Sequence, residues 1–366
     1  MLKISIYDDF FCIADKCTFS CCSGGWGVLL DDKELDVYKE EPFIREGLDI
    51  ERKRMIMRED GRCFFLDDKG LCKLVSVYGP DVLSTTCTKF PRSGRNYMGV
   101  EEKFLGNACP KVLDLLAGVE PPLVFVTDEE LPQEYLMKDT VLARSVLTDI
   151  LQCSGLPMWA RIYLVYSMAC KLEDCTENNF IDILLKYSDA SYLETQLEIL
   201  SGVGIGADVV LRETQKMYEI VNENNCKQNY YDDFINPFYK KNEEGIAETI
   251  QENKKAFAEW FKAYEPLFEN VCVNMAMGHT LCDKLCELKK KTVMLLLEMS
   301  IAYYTILRNW MRRGQKLERV DVYNIICYYA RLFEHNERQV VDFVSKLFSK
   351  ENYASGNFFA ICKIMG

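Results

Sequence analysis

Eight cysteines in the first 109 residues are the side chains of this sequence best suited to chemistry. Four of them fall within eleven residues, and the remaining four stand in short, loop-like contexts. Thiolate is the ligand that iron–sulfur clusters and zinc prefer, and loops allow several thiolates to converge on one cluster or ion. The sequence therefore predicts a metal or cluster site whose candidate ligands are Cys12, Cys17, Cys21, Cys22, Cys63, Cys72, Cys87 and Cys109.

Neither core packing nor a disulfide framework accounts well for these eight cysteines. A free cysteine commonly packs as a small buried hydrophobe, but the adjacent Cys21 and Cys22 cannot both point into one core from a strand, because successive side chains face opposite ways. A disulfide framework requires an oxidising compartment, and the amino-terminal stretch has no long apolar signal region. The packing role does fit the nine cysteines that occur singly in apolar or helical stretches: Cys153, Cys170, Cys175, Cys226, Cys272, Cys282, Cys286, Cys327 and Cys362.

The spacing of the thiols bears on the choice of metal. Common zinc sites use two close cysteine pairs, or a cysteine pair with a histidine pair, and the two histidines of the chain, His279 and His335, lie far from the thiols. A site of thiolates alone is therefore implied, which either an iron–sulfur cluster or zinc can occupy. The spacing from Cys17 to Cys21, with Cys22 next to it, is not the arrangement found in radical S-adenosylmethionine enzymes.

Several stretches agree in order with one known family. They are Phe11-Cys-Ile-Ala14 through Cys17, Cys21-Cys-Ser-Gly-Gly-Trp26 with Asp31-Asp32, Cys63-Phe-Phe-Leu-Asp-Asp-Lys-Gly-Leu-Cys72, Asp81-Val-Leu-Ser-Thr-Thr-Cys87-Thr-Lys-Phe-Pro91-Arg92, and Ala108-Cys-Pro110. Over residues 11–116 the chain resembles the flagellin lysine N-methylase family, and the resemblance is weaker over the rest. The same order of cysteines also resembles the broader group of cysteine-cluster domains that chelate zinc or iron.

The resemblance implies an S-adenosylmethionine-dependent methyltransferase that methylates lysine side chains of flagellin. It also implies an iron–sulfur cluster, and since four thiolates suffice for one 4Fe–4S cluster, eight leave room for two. A lysine amine must lose its proton before it attacks a sulfonium methyl group, so the site needs a base or a desolvating pocket. The sequence assigns neither the catalytic nor the cofactor-binding residues. The alternative is a non-enzymatic zinc- or iron-binding protein whose helical part is a protein-interaction platform.

Composition limits the partners. The net charge is −12, with 56 acidic and 44 basic residues, which argues against nucleic acid because phosphate binding needs a basic surface. An acidic surface is compatible with a lysine-bearing protein substrate, although it is also common among cytoplasmic proteins. No run of 18 apolar residues is present, so we expect no membrane span. Without a signal region, and with an odd number of thiols, the reducing cytoplasm is the expected compartment. The sequence does not determine the oligomeric state.

The sequence divides near residue 118, where Pro121 and Pro122 interrupt the helical pattern. We therefore expect a mainly α fold with two parts: an irregular cysteine-rich metal- or cluster-binding domain over residues 1–118, and an all-helical domain over residues 119–366. An active pocket is expected where the two domains meet, since clefts between domains commonly bind small ligands. Apolar periodicity predicts helices of the second domain at 140–153, 157–169, 180–187, 192–200, 256–264, 291–310, 320–333 and 339–348.

Four further features of the second domain are expected to have structural roles. The glycine-rich stretch 202–206 follows a predicted helix rather than a strand, which favours a helix end over a nucleotide-binding loop. The polar stretch 222–244 is expected to be a surface loop or short helices. A more specific hypothesis is that it forms a lid that faces the substrate. His279 is expected to be a packed histidine rather than a catalytic one. Three arginines are expected to be solvated at a helix end: Arg308, Arg312 and Arg313.

Overall fold

The computed structural model of this chain describes residues 1–24, 27–206, 208–213, 215–216, 234, 246–334 and 355–366. The described residues are mainly helical, which confirms the predicted class. Their β-strands all lie within the first 127 residues. None of the described helices is long and apolar enough to cross a membrane.

The N-terminal region alternates short helices with short strands. Its elements are β1 (Leu2–Ile4), α1 (Asp32–Tyr38), α2 (Pro42–Arg45), β2 (Leu48–Asp49), β3 (Arg54–Met55), α3 (Lys73–Tyr78), α4 (Thr85–Lys89), β4 (Arg92–Tyr97), β5 (Val100–Leu105), α5 (Pro110–Ala117) and β6 (Phe125–Thr127). The connecting segments 5–31 and 56–72 carry six of the eight candidate ligands. The cysteines therefore lie mostly on loops, where their positions depend on contacts with the rest of the molecule.

Four strands form one sheet in the order β4-β5-β1-β6. β4 and β5 are an antiparallel hairpin in which Arg92 pairs with Leu105, and β1 lies parallel to β5. This hairpin was not among the elements expected for the irregular cysteine-rich domain, residues 1–118. The turn residues Met98 and Gly99 take φ of 50° and 81°, the left-handed conformation typical of two-residue hairpin turns. The strands carry many charged residues, which is why apolar alternation did not mark them.

A small hydrophobic core lies under the loops that carry Cys63 and Cys72. Its close packing leaves no room beside Gly47, because a Cβ there would come 2.3 Å from the ring of Phe65. This core gives part of the cysteine-rich region a fixed shape of its own. Its buried members are Leu30, Leu35, Tyr38, Ile44, Leu48, Met55, Phe65 and Leu74.

The helical region begins after β6. Its helices are α6 (Gln133–Leu136), α7 (Asp139–Leu151), α8 (Met158–Glu173), α9 (Phe180–Ser188), α10 (Ala190–Gly202), α11 (Ile246–Phe261), α12 (Glu265–His279), α13 (Leu288–Arg312), α14 (Arg319–Glu334) and α15 (Ser355–Cys362). Seven of the eight predicted helices are present, and the eighth, 339–348, lies outside the described residues. Periodicity succeeded here because these helices pack an apolar face against neighbours.

One large hydrophobic core joins the N-terminal sheet to the helices. It brings Ile4 of β1 and Leu105 of β5 together with Val273 of α12 and Leu296 of α13. α13 is buried along nearly its whole length, as the central helix of such a bundle must be. The division of the chain at residue 118 stays a proposal, and the large core continues across it.

Three predictions for the helical region meet different outcomes. α10 ends at Gly202, followed by the C-cap residue Val203, which confirms the glycine-rich stretch as a helix end. Arg308 was wrongly expected to be solvated: it is 6% exposed and donates to the hydroxyl of Tyr304 at 2.8 Å. Arg308 is buried because its turn of α13 still packs inside the bundle. The proposed lid, 222–244, lies outside the described residues except for residue 234.

Candidate functional site

We divide the eight candidate cysteines into two sets of four by the electrostatic effects that they exert on one another. We call Cys12, Cys17, Cys21 and Cys109 the first thiol set, and Cys22, Cys63, Cys72 and Cys87 the second thiol set. All eight are free thiols. Cys12 is exposed, Cys109 is buried, and the remaining six are partly buried.

The first thiol set is recognisable from the mutual influence of its members. Burial raises the pKa of Cys17, and the nearby Cys12 and Cys22 raise it further. Burial raises the pKa of Cys109 to about 11, again with a contribution from Cys17. The pKa of Cys21 is raised well above its usual value by a hydrogen bond to Cys22, by burial and by the nearby Cys109. These thiols are therefore close enough to repel one another as thiolates.

The second thiol set shows the same mutual influence. The pKa of Cys63 is raised to about 12 and that of Cys87 to about 11, mainly by burial and in part by the nearby Cys22 and Cys72. Cys22 is different, because the hydrogen bond from Cys21 lowers its pKa to about 7. The backbone N–H of Cys63 donates to the carbonyl oxygen of Cys22 at 2.7 Å. The two sets thus meet at the adjacent residues Cys21 and Cys22.

Two of the thiols belong to residues at helix N-termini. Cys109 is the N-cap of α5; its sulfur makes no capping hydrogen bond, but the N–H groups of Val112 and Lys111 near it act to lower its pKa, against the larger effect of burial. Cys72 holds the same position at α3, where the N–H groups of Val75 and Leu74 likewise act to lower its pKa without a capping hydrogen bond to its sulfur. Pro110 fixes the start of α5 without losing a helical hydrogen bond. Such N-termini favour the thiolate form, which is the form that binds metal.

Arg331 of α14 anchors the loops of the first thiol set. Its buried guanidinium donates to the carbonyl oxygens of Phe19 at 2.5 Å, Ser20 at 3.3 Å and Ala108 at 3.2 Å. Burial lowers the pKa of Arg331, whereas the surrounding thiols raise it. A positive charge held in this place stabilises negative charge on the thiols. No local pattern signals this role, since Arg331 has no distinctive neighbours in the chain.

A further thiol lies beside the first thiol set. Cys327, also on α14, is fully buried, and burial raises its pKa well above the usual value, with contributions from Cys109 and Cys17. Its burial agrees with the predicted packing role, but its position makes it a poor neutral reference for substitutions. Among the cysteines expected to pack singly, Cys226 lies outside the described residues. Cys272, Cys282 and Cys362 are buried, Cys153, Cys170 and Cys175 are partly buried, and Cys286 is exposed.

The two thiol sets can be tested against the needs of a metal. Within the described part of the chain, no three histidine, cysteine, aspartate or glutamate side chains form an arrangement that could hold a metal ion. The donor chemistry nevertheless fits, because each set offers four thiols, the number that ligates one iron–sulfur cluster. A bound metal would also offset the cost of ionising thiols whose pKa burial raises. The cluster and its eight ligands therefore stay a proposal.

A small pocket lies where α12, α13 and α14 meet. The volume within which the centre of a water molecule could lie is about 10 Å³, so the pocket has room for about one water molecule. Glu298 lines it, is 1% exposed, and finds no hydrogen-bond partner among the described residues for either carboxylate oxygen. Burial raises the pKa of Glu298 well above its usual value, and the nearby Glu334 raises it further. The full lining is Met275, His279, Thr280, Lys291, Met294, Leu295, Glu298, Phe333 and Glu334.

Glu334 connects this pocket to the N-terminal region. The side-chain amide of Asn107 donates to Glu334 Oε1 at 3.2 Å, and His279 Nε2 lies 3.6 Å from Glu334 Oε2. His279 packs its ring edge-on against Phe104 of β5, with 6.0 Å between ring centres. The His279 side chain is 31% exposed, whereas that of Glu334 is 4% exposed. The sequence could not identify Glu298 and Glu334, which are two acidic residues among 56.

A buried charge network holds the hairpin against the helices. Glu102 of β5 is fully buried and accepts two hydrogen bonds from Arg144, at 2.7 and 2.8 Å, one from Tyr135 at 2.5 Å and one from Arg95 at 2.9 Å. Arg95 also donates to the carbonyl oxygens of the two residues that precede His279. Carbonyl groups at the end of a helix have no partners within it. The hairpin therefore fixes the helix end that carries His279.

A larger cavity of about 360 Å³ lies on another face of α13. Phe257, Tyr303 and Tyr304 give it aromatic walls, and Lys254 and Lys363 give it positive charge. Its size suits a small organic ligand. Because successive residues of a helix turn by about 100°, Tyr303 and Tyr304 lie more than about 100° around α13 from Glu298. The cavity and the pocket of Glu298 are therefore separate.

Comparison with known proteins identifies relatives of this chain. The FliB lysine N-methylase C-terminal domain matches residues 144–362. The flagellar biosynthetic protein FliU of Salmonella muenchen is 29% identical over 119 residues, which cover 28% of this chain and 68% of FliU. The lysine-N-methylases of Salmonella typhimurium and Salmonella choleraesuis are each 26% identical over 141 residues, covering 34% of both chains.

The curated relatives and the family model cover different shares of the chain. The aligned part spans about a third of the length of the two lysine-N-methylases. No solved structure matches this chain. The C-terminal domain match, in contrast, covers more than half of the chain. On that basis the protein belongs to the FliB lysine N-methylase family.

Proposed function

We propose that this protein transfers methyl groups from S-adenosylmethionine to lysine side chains of flagellin. The observation that carries the proposal is the match of residues 144–362 to the FliB lysine N-methylase C-terminal domain. The names of the relatives support it, since they refer to lysine methylation and to flagellar biosynthesis. The net charge of −12 assists the approach of a lysine-bearing protein. We place the reaction in the cytoplasm, before export of flagellin.

The proposal includes one or two 4Fe–4S clusters, with zinc as the alternative. One cluster would use the first thiol set, and a second would use the second thiol set. Bound there, a cluster would supply folding energy to loops that have little regular structure. Arg331 supports this assignment because its buried positive charge lies beside the first thiol set and offsets the negative charge of thiolates.

Two measurements test the proposal together. The protein is purified without oxygen, analysed for iron, zinc and acid-labile sulfide, and then incubated with flagellin and S-adenosylmethionine. Flagellin lysines should gain about 14 Da per methyl group, the mass expected for replacing hydrogen by a methyl group. Flagellin incubated without the methyl donor is the control.

Different outcomes separate the two candidate functions. A metal-loaded protein that leaves flagellin unmodified and does not bind the methyl donor would support the non-enzymatic metal-binding alternative. Stoichiometric zinc without sulfide, in an active methylase, would retain the reaction and reject the iron–sulfur cluster.

A further inference from the structure

One face of α14 covers the loop that carries part of the first thiol set. The hydroxyl of Thr18 donates to the side-chain oxygen of Asn324 at 3.1 Å, and Arg331 donates to the carbonyl oxygen of Phe19. Cys327 stands between these two contacts in the helix, three residues after Asn324 and four before Arg331. Helical residues with these spacings lie on one face. Cys327 therefore faces the same loop.

Three thiols of the first set lie next to these contacts. Cys17 and Cys21 flank the loop segment 18–20, and Cys109 follows directly after Ala108, whose carbonyl oxygen also accepts from Arg331. Burial lowers the pKa of Arg331, and nearby thiols oppose this effect. The four thiols that do so most are Cys327, Cys21, Cys17 and Cys109.

Cys12 has a different environment from these four thiols. Its side chain is exposed, whereas that of Cys327 is 0% exposed and that of Cys109 is buried. A ligand at the surface opens a cluster to solvent, and solvent access changes both its reduction potential and its exposure to oxidants. A buried fourth thiol keeps the cluster enclosed.

A 4Fe–4S cluster makes different demands on its ligands from a single metal ion. Each of its four ligands binds a different iron, so the sulfur atoms need not converge on one point. The thiols around Arg331 suit such a cluster, although no three side chains in the described part of the chain converge as the ligands of one ion do.

We propose that Cys327 of the helical region, rather than Cys12, is the fourth ligand of the cluster bound by Cys17, Cys21 and Cys109. This inference rests on the proposed iron–sulfur cluster and not on the methylation of flagellin. When the Cys327 thiol binds, its S–H bond breaks, the proton goes to water and the sulfur electron pair forms the bond to iron, with no change of oxidation state. The loaded cluster then ties the N-terminal loops to α14.

Substitution of single cysteines by alanine tests this ligand set. The full chain is purified without oxygen and analysed for iron and acid-labile sulfide. Cys327→Ala should lose the first cluster, which is about half of both elements if each thiol set holds a cluster, whereas Cys12→Ala should retain all of both. The matched control is Cys272→Ala, because Cys272 is also 0% exposed but lies on α12 outside the thiol sets. It should retain its iron.

A second measurement uses the unchanged protein and does not depend on the folding of a variant. The cluster-loaded protein is treated with iodoacetamide and its peptides are analysed by mass spectrometry. Cys12 should be alkylated as readily as the exposed Cys286, which serves as the reference, because a free exposed thiol reacts and a metal-bound one does not. Cys327 should react only after the cluster is removed and the chain is unfolded.

The outcomes separate this inference from the proposed function. Full iron in Cys327→Ala, equal iron losses in Cys327→Ala and Cys272→Ala, protection of Cys12 from iodoacetamide, or an unchanged protein without acid-labile sulfide would each overturn the assignment of Cys327. Iron that depends on Cys327, in a protein that leaves flagellin unmethylated, would reject the proposed reaction and retain the ligand.

Discussion

The guanidinium carbon of Arg331 lies 3.7 Å from the centre of the Phe19 ring, and the same guanidinium donates to the carbonyl oxygen of Phe19. Phe19 stands two residues before Cys21, whereas Arg331 belongs to the penultimate described helix. One side chain of the helical region thus determines where a loop of the first thiol set lies.

Replacement of Arg331 should therefore destabilise the protein strongly. In Arg331→Met, three buried carbonyl oxygens lose their donor, and each unsatisfied group costs about 1–3 kcal/mol. We expect the free energy of unfolding to fall by about 3 kcal/mol or more, measured by urea denaturation of the metal-free protein. The matched control is Arg52→Met, because Arg52 is exposed and its ion pair with Asp49 is 3.7 Å long. Similar stabilities of the two variants would contradict the anchoring role.

The buried Glu102 network predicts acid sensitivity. Burial would raise the pKa of Glu102, but hydrogen bonds and charge from Arg144 and charge from Arg95 outweigh it and lower the pKa. A carboxyl group with a lowered folded-state pKa contributes stability that is present above its unfolded pKa of about 4.3 and is lost as the pH falls through the folded value. The unfolding free energy should accordingly decline below about pH 5.

Glu102→Gln separates this contribution from that of the remaining carboxylates. The variant leaves Arg144 buried without its anion, which should cost about 3–5 kcal/mol at pH 7, and its stability should fall less steeply on acidification. Glu101→Gln is the control, because Glu101 is exposed and pairs with Lys103 at the surface. Urea denaturation at pH 7 and pH 4 measures both. Parallel losses in the two variants would rule out a special role for Glu102.

The division into two thiol sets predicts that substitution of one cysteine removes only part of the bound metal. If each set holds a 4Fe–4S cluster, the protein should contain about eight irons and eight sulfides, and Cys21→Ser or Cys87→Ser should each remove about half. Cys170→Ser is the control, since Cys170 lies on α8 in a helical stretch and should leave the metal content unchanged. Iron and sulfide analysis under nitrogen provides the measurement. Complete loss in both variants would indicate one cluster that draws on both sets.

Gly278 should resist substitution although it lies in a helix. A Cβ at this position would come 2.9 Å from the ring of Phe104, so Gly278→Ala should cost about 1–3 kcal/mol by overpacking, against a gain in helix propensity of up to about 1 kcal/mol. Gly202→Ala is the matched control, because Gly202 is helical and no described atom comes within 4 Å of the added Cβ. Thermal unfolding should show Gly278→Ala destabilised and Gly202→Ala equal or stabilised. Stabilisation of both would refute the contact.

The sequence predicted the helices well because their signal is local. Apolar periodicity located seven helices to within a few residues at most ends. Spacing alone separated a dense N-terminal group of cysteines from single ones; the packing role predicted for the single ones fits the burial of Cys272, Cys282, Cys327 and Cys362 and is wrong for the exposed Cys286. The proximity of Glu298 to Glu334, and of Arg331 to Phe19, was not visible. Those contacts depend on how α12, α13 and α14 pack together and against the sheet, which no local pattern encodes.

The contact of Arg331 with the N-terminal loops also constrains the order of events during synthesis. Arg331 follows Ala108, whose carbonyl it binds, by 223 residues. At about 5–20 residues per second, the ribosome needs roughly 10–45 s to produce this anchor after the last thiol of the first set has been made. During that interval the cysteines depend on the small core near Phe65 and on their own helix ends. The loops of the first thiol set therefore cannot take their final positions until α14 has emerged from the ribosome.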